Sequence, residues 1–172
     1  EDDVTLLSLH RTDYLQMTDV GTSPRKVSMS EQEGQVVAQF TIASEPGNER
    51  AAMRRIGEEA QPYLPPMKLE QLKTAVAEAT LNAIEHGNHN QPELDVAIQL
   101  VVTDRELTVR ISDHGGDQVI PEVTTPNLER KLAGLESPRG WGLFLIRNLV
   151  DEVRITNQSD RHTMELVMKR QE

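Results

Sequence analysis

Four polar side chains recur along residues 68–90 (KLEQLKTAVAEATLNAIEHGNHN) at spacings that suit an α-helix. At about 100° of rotation per residue, Asn82 lies about 40° around the helix from Glu78. Glu85 and His89 lie within about 20° of Glu78. A carboxylate, an amide and two further polar groups would therefore project from one face of the helix, where they can do chemistry. The alternative is the ordinary solvated face of an amphipathic helix.

The same stretch carries an apolar stripe that would hold this face in position. The stripe spans roughly 60° of the helix and contains Leu72, Val76, Ala79 and Ala83. We therefore predict a helix over residues 68–90 that buries this stripe in the core. It is expected to close at Gly87, because glycine adopts the left-handed terminating conformation without steric cost.

Two glycine-containing turns are further candidates for a binding site. Asp113 begins the sequence DHGGD directly after a strand-like run, where a carboxylate can face a pocket, although a single DxG matches any turn. Arg139 and Gly140 begin RGWGL, which opens an apolar helix running to about Val150. Glycines at a helix start allow close approach of a ligand, and the free N–H groups favour an anion such as phosphate. Arg139 would add a cation.

Between these turns, residues 117–138 contain three prolines and little regular pattern. A connection of this length is uncommon in a small domain unless it has a function. We predict a lid or flexible loop that becomes ordered on phosphate contacts.

The remaining pattern predicts one α/β (α+β) domain. Its sheet is expected to be mixed but mostly antiparallel and covered by helices on one face, giving a two-layer sandwich. The other predicted helix spans residues 49–63, and the predicted strands span 36–43, 94–103, 106–113, 152–157 and 163–169. The domain limits follow as 36–170, preceded by a polar linker over 11–35.

Composition excludes several classes of function. A formal net charge of −10 and a pI near 5.0 leave no basic surface for nucleic acid, and 3% aromatic residues provide few base-stacking platforms. There is no cysteine, and no apolar run approaches the roughly 20 residues of a membrane span. We expect a cytoplasmic protein of 172 residues that binds neither nucleic acid nor membrane.

Arginines are dense in the first predicted helix, at Arg50, Arg54 and Arg55, in an otherwise acidic chain. Two interpretations remain open. They are either ordinary salt-bridged surface or a docking patch for an acidic partner.

Three separated stretches together resemble the GHKL ATPases, and among them the RsbW/SpoIIAB-like anti-sigma serine kinases. Residues 78–87 (EATLNAIEHG) are similar to the N box of that family, 113–115 to its first glycine box and 139–143 to its second. Asn48 and Glu49 resemble the start of the first helix, and Thr163 resembles the threonine near the adenine. The resemblance covers residues 36–169.

The resemblance implies roles for individual residues. Glu78 would be the general base, Asn82 the single protein ligand of Mg²⁺, and Asp113 the acceptor for the amino group of adenine in ATP. One amide oxygen suffices, because Mg²⁺ keeps most of its waters and prefers phosphate oxygens. The other nucleotide-binding residues would be Gly115, Arg139, Gly140, Gly142, Leu143 and Thr163.

Two positions depart from the family pattern. Asp117 replaces the second glycine of the DxGxG box, which adds a negative charge where the lid begins. His162 replaces the glycine that usually precedes Thr163. Neither change removes a catalytic group.

The first residues suggest a second domain. Asp2-Asp3-Val4-Thr5 resembles the closing strand of SpoIIE-type (PPM) phosphatases, in which the first aspartate is a metal ligand. Residues 1–10 would then be the remnant of a preceding phosphatase, with Asp2 a manganese or magnesium ligand. The alternative is a frayed acidic terminus.

Two functions remain open. By resemblance, the chain would be a serine/threonine protein kinase that phosphorylates a STAS-domain antagonist, holds a sigma factor and forms a homodimer. Alternatively, it would be a nucleotide-binding adaptor that regulates a fused phosphatase without kinase activity. A sensor histidine kinase has little support, since none of the five histidines lies on an obvious upstream helical hairpin.

Overall fold

The computed structural model describes residues 34–116, 129 and 139–170. Five strands form one sheet: β1 (Gln35–Ala43), β2 (Asp95–Val102), β3 (Glu106–Asp113), β4 (Glu152–Gln158) and β5 (Arg161–Lys169). Within these described ranges, three α-helices pack with the sheet: α1 (Asn48–Ala60), α2 (Pro66–Asn82) and α3 (Arg139–Leu149). A short 3₁₀ turn (Gln61–Tyr63) follows α1, and one π-helical turn (Ala83–Gly87) follows α2.

The strand order is β1-β2-β3-β5-β4. All four strand pairings in the described part of the chain are antiparallel. The predicted two-layer sandwich is confirmed, with helices on one face of the sheet. The order of the strands in the sheet differs from their order in the sequence, because β5 lies between β3 and β4.

Alternation along the strands determines which side chains face the helices. On β2 the buried residues are Val96, Ile98, Leu100 and Val102, and the residues between them are partly exposed. They share one hydrophobic core with α2, which buries Leu72, Ala75, Val76, Ala79 and Thr80. The predicted apolar stripe of α2 therefore forms the centre of the core.

The helix boundaries have local causes. Proline occupies the first turn of α2, where its missing N–H breaks no helical hydrogen bond. At the start of α1, the Glu49 carboxylate accepts a hydrogen bond from the Gly47 N–H at 2.6 Å. Asn48 ties that helix to β1 by donating to the Ala43 carbonyl at 2.9 Å.

The predicted lid, 117–138, lies outside the described residues except for Glu129. The predicted phosphatase remnant, with Asp2, and almost all of the predicted linker also lie outside them. These three features, and the domain limits drawn from them, stay predictions.

Candidate functional site

The last turn of α2 and the first turn of α3 meet at two predicted site residues. Glu78 and Asn82 lie one turn apart on α2, and both are partly exposed. A Cβ on Gly142 would overlap the Glu78 Oε1 atom and would lie 3.2 Å from Asn82 Nδ2. The N-terminal turn of α3 therefore approaches the polar face of α2 as closely as backbone allows.

α3 presents its amino end at this contact. The helix begins at Arg139 and Gly140, so its first N–H groups have no partner within the helix and can receive an anion. The Arg139 side chain lies outside the described part of the structure. Leu143 is 7% exposed and belongs to the hydrophobic core, so it anchors the turn and can offer a ligand only its backbone.

Asp113 forms a second part of the site at the end of β3, where its side chain is 4% exposed. Its Oδ1 accepts a hydrogen bond from the Gly115 N–H at 2.8 Å. Its Oδ2 lies 3.1 Å from Nδ1 of His162 on β5. The carboxylate is thus held at both oxygens, and each oxygen keeps a lone pair for a further donor.

Gly87 has a different role from the predicted one. Its φ is not in the left-handed region, and the chain turns left-handed at His89 (φ 51°) and Asn90 (φ 55°) instead. A Cβ on Gly87 would overlap the carboxyl group of Asp113. Glycine is needed here because the carboxylate occupies the space of a side chain.

The predicted polar face of the central helix is shorter than expected. α2 ends at Asn82, and the π turn that follows changes the rotation per residue. Glu85 lies in that turn and His89 lies beyond it, so the 100° spacing no longer places them beside Glu78.

Thr163 is separated from Asp113 by the sheet. In the β3–β5 pairing, Asp113 lies opposite His162 and Ser112 lies opposite Thr163. Neighbouring residues of a strand point to opposite faces, and the Thr163 hydroxyl is hydrogen-bonded to that of Ser112 at 2.8 Å. His162, not Thr163, is therefore the β5 residue beside the predicted adenine acceptor.

Asn88 is a site residue that the sequence did not reveal. It is fully buried, and its Oδ1 accepts the His114 N–H at 2.7 Å. Its Nδ2 donates to Ser44 Oγ at 2.9 Å and to the Asp95 carbonyl at 3.0 Å. One amide thus joins the end of the central helix to the ends of β1, β2 and β3, and it fixes the backbone next to Asp113.

His114 extends this network to the surface. Its Nε2 lies 2.8 Å from the Asp95 Oδ1 atom. This hydrogen bond, helped by Arg161 at 3.9 Å, holds the pKa of Asp95 below its usual value against a smaller effect of burial. Gly116 then packs on the β4–β5 turn, where a Cβ would lie 2.7 Å from the Ser159 carbonyl oxygen.

The donor set suits a metal ion that is held mainly by a nucleotide. Within the described residues, no group of three or more His, Cys, Asp or Glu side chains could hold a metal ion. The Asn82 amide lies near the start of α3, where its oxygen would supply one ligand of a metal ion whose remaining ligands would be phosphates and waters. An amide oxygen is a ligand type that Mg²⁺ accepts, so Asn82 is compatible with Mg²⁺ bound together with a nucleotide.

Residues 42–170 match the family described as histidine kinase-like ATPase domain. The chain belongs to the histidine kinase-like ATPase domain family, and this membership implies nucleotide binding.

Two similar proteins are anti-sigma F factors. The chain is 34% identical to that of Oceanobacillus iheyensis over 103 residues, which make up 56% of this chain and 65% of the relative. It is 33% identical to the anti-sigma F factor of Anoxybacillus flavithermus over 108 residues, which make up 58% of this chain and 68% of the relative. The match thus spans just under two thirds of the first relative. The resemblance to the GHKL ATPases, and among them to the RsbW/SpoIIAB-like proteins, is confirmed.

Two solved structures share the fold. The RsbU and RsbW domains of a Mycobacterium tuberculosis protein align with a TM-score of 0.56 at 17% identity, covering 77% of this chain and 32% of that one. The SiaB–SiaC complex of Pseudomonas aeruginosa aligns with a TM-score of 0.57 at 12% identity, covering 77% of this chain and 89% of that one.

No helix in the described part of the chain is long and apolar enough to cross a membrane. The cytoplasmic location stays a prediction.

Proposed function

We propose that this domain binds ATP with Mg²⁺ and transfers the γ-phosphate to a serine or threonine of a STAS-domain antagonist protein. It would hold a sigma factor and exchange it for the antagonist as nucleotide and phosphorylation state change. The names of the anti-sigma F factor relatives support the regulatory part of this proposal.

The observation that carries the proposal is the meeting of Glu78 and Asn82 with Gly142. A nucleotide with its phosphates at the amino end of α3 would lie beside the carboxylate and the amide of α2. Mg²⁺, when bound, neutralises charge on the phosphates. Asn82 then helps to hold that metal, while Glu78 can accept the proton of an incoming hydroxyl.

The base of the nucleotide would lie at Asp113. Its carboxylate is positioned by Gly115 and His162 and accepts hydrogen bonds only, which suits the amino group of adenine. Gly115 would also provide close backbone approach. Thr163 is left out of this proposal, because its hydroxyl faces the other side of the sheet.

A groove between α1 and α2 supports a protein partner. Arg50, Arg54 and Lys73 line it together with Met53 and Leu69, although Glu58 and Glu70 also contribute. Arg55 does not line this groove, and its guanidinium lies 4.3 Å from the ring centre of Phe40. Lys73 is ion-paired with Glu70 at 2.9 Å, so Arg50 and Arg54 would provide the match for an acidic surface on the antagonist. A homodimer remains part of the proposal by family resemblance.

The second candidate is a nucleotide-binding adaptor without kinase activity. The aspartate at position 117 favours it, because it adds charge where the family has glycine. The experiment that separates the two incubates the domain with γ-labelled ATP and each STAS protein of the same genome. Label on a STAS serine or threonine supports the kinase. The adaptor function is supported by a different result. In that result the domain binds ATP but labels no STAS protein, and Glu78→Gln does not change its affinity for a partner.

A further inference from the structure

His162 departs from the family pattern and also contacts Asp113, the side chain proposed to bind the base. It lies directly opposite Asp113 in the β3–β5 pairing, on the helix-covered face of the sheet. Its Nδ1 is 3.1 Å from Asp113 Oδ2, and its side chain is 21% exposed, against 4% for Asp113. The ring therefore contacts the buried carboxylate and is itself more accessible than the carboxylate.

Three groups restrain the Asp113 carboxylate. The Gly115 N–H holds Oδ1, the His162 ring holds Oδ2, and the backbone of Gly87 closes the third side. Of these three, only the histidine bond comes from a side chain. A carboxylate that lost this bond could rotate about its last torsion angle, which has broad minima.

Rotation would matter because the two purine bases differ at one position. Adenine presents an amino donor where guanine presents the O6 acceptor. A fixed carboxylate accepts from the first and repels the second, whereas a mobile one can turn away from the O6 atom. Discrimination therefore depends on what fixes the carboxylate as well as on the carboxylate itself.

We propose that His162 is a positioning residue for base recognition. Its Nδ1–H holds Asp113 in the orientation that accepts the adenine amino group, and the preference of the domain for adenine over guanine nucleotides depends on that bond. This inference rests on the proposed ATP-binding function.

Two substitutions separate the hydrogen bond from the bulk of the ring. His162→Phe keeps a planar ring but has no donor. His162→Asn places an amide nitrogen near the position of Nδ1 and keeps the donor. The matched control is Ser112→Ala, which removes the 2.8 Å bond to Thr163 one residue away on the same two strands, on the opposite face of the sheet.

The experiment measures ATP and GTP affinity of each variant by calorimetry, with thermal melting to check folding. We expect His162→Phe to weaken ATP binding roughly fivefold or more, the scale of one ordinary hydrogen bond, and to reduce the ATP-to-GTP affinity ratio. His162→Asn should restore both values to within about twofold, and Ser112→Ala should leave them unchanged.

A second readout needs no nucleotide. Proton–nitrogen correlation spectra of the imidazole should show the Nδ1–H form of His162 in the unmodified domain, and Asp113→Asn should abolish that preference. If the folded His162→Phe variant keeps both the ATP affinity and the ATP-to-GTP ratio, or if Nδ1 carries no proton, the role of His162 is refuted while ATP binding stands. If the unmodified domain binds no ATP, the proposed function fails and this inference fails with it.

Discussion

The two ends of the proposed nucleotide site, which we call the base end and the phosphate end, differ in how their polar groups are held. At the base end, Asp113 and Asn88 are buried and hydrogen-bonded to four different parts of the chain. At the phosphate end, Glu78 and Asn82 are partly exposed, and among the described residues their side chains form no hydrogen bond. The base end is organised by the fold, whereas the phosphate end keeps its groups available for a ligand.

This difference predicts that substitutions at the two ends impair different properties of the domain. Changes at the phosphate end should affect chemistry without affecting stability. Changes at the base end should affect affinity and stability together, since the same hydrogen bonds serve both.

The largest effect is expected for Glu78→Gln. Glutamine keeps the shape of the side chain but cannot accept a proton, so phosphorylation of the STAS partner should fall on the order of 10²- to 10⁴-fold. ATP affinity and the melting temperature should stay close to those of the unmodified domain. Single-turnover phosphotransfer and calorimetry measure the two effects. Asn82→Ala is the companion variant and should lose both transfer and ATP affinity. An equal loss of ATP affinity in both variants would contradict the separate roles.

The next largest effect is expected for Asp113→Asn. The change places an amide donor where the carboxylate accepts bonds from Gly115 and from the base. We expect a loss of about 1.5–3 kcal/mol in ATP binding, which is tenfold or more, together with a lower melting temperature. A variant that binds ATP as tightly as the unmodified domain would show that this end does not recognise the base.

Gly87→Ala tests the closeness of the central helix to Asp113. The added Cβ overlaps a buried carboxyl group that cannot move freely, so we expect about 1–3 kcal/mol of destabilisation in urea unfolding. Gly57→Ala is the matched control. There the Cβ meets only the flexible Lys73 side chain, at 3.0 Å, and alanine favours the helix. Equal stabilities for the two variants would contradict the steric account.

The smallest effect is expected for Asp95→Asn, at the outer edge of the base-end network. The folded-state pKa of Asp95 is lowered from 3.8, so its contribution to stability is present above pH 3.8 and is lost as the pH falls through the folded-state value. Because the side chain is 44% exposed, we expect no more than about 0.5 kcal/mol at neutral pH. Urea unfolding of both proteins at pH 7 and pH 3 measures this difference. A difference that grows toward pH 3 would refute the assigned sign.

Local sequence patterns predicted most of this architecture. The apolar stripe of α2 and the alternation of β2 depend only on nearby residues, and the structure has both. β2 has nearly its predicted limits, whereas α2 ends at Asn82, short of the predicted residue 90. The strands predicted over 94–103 and 106–113 are also present, and they pair antiparallel as β2 and β3. The family resemblance implied that Glu78, Asn82 and Gly142 belong to one site, and the three residues lie together in the structure.

Long-range pairing could not be predicted in the same way. The face occupied by Thr163 depends on the register of β5 against β3, and a shift of one residue exchanges the two faces. The role of Asn88 depends on three strand ends that are distant in sequence. The π turn after Asn82 moved Glu85 and His89 away from the predicted face, since a helical period cannot reveal where the helix changes.

Isothermal titration of the unmodified domain with ATP, with and without Mg²⁺, tests the central claim most directly. The claim is that the end of α2, the end of β3 and the start of α3 form one nucleotide site. We predict one binding event per domain that weakens when Mg²⁺ is chelated. Absence of ATP binding by the folded domain in the presence of Mg²⁺ would contradict the account.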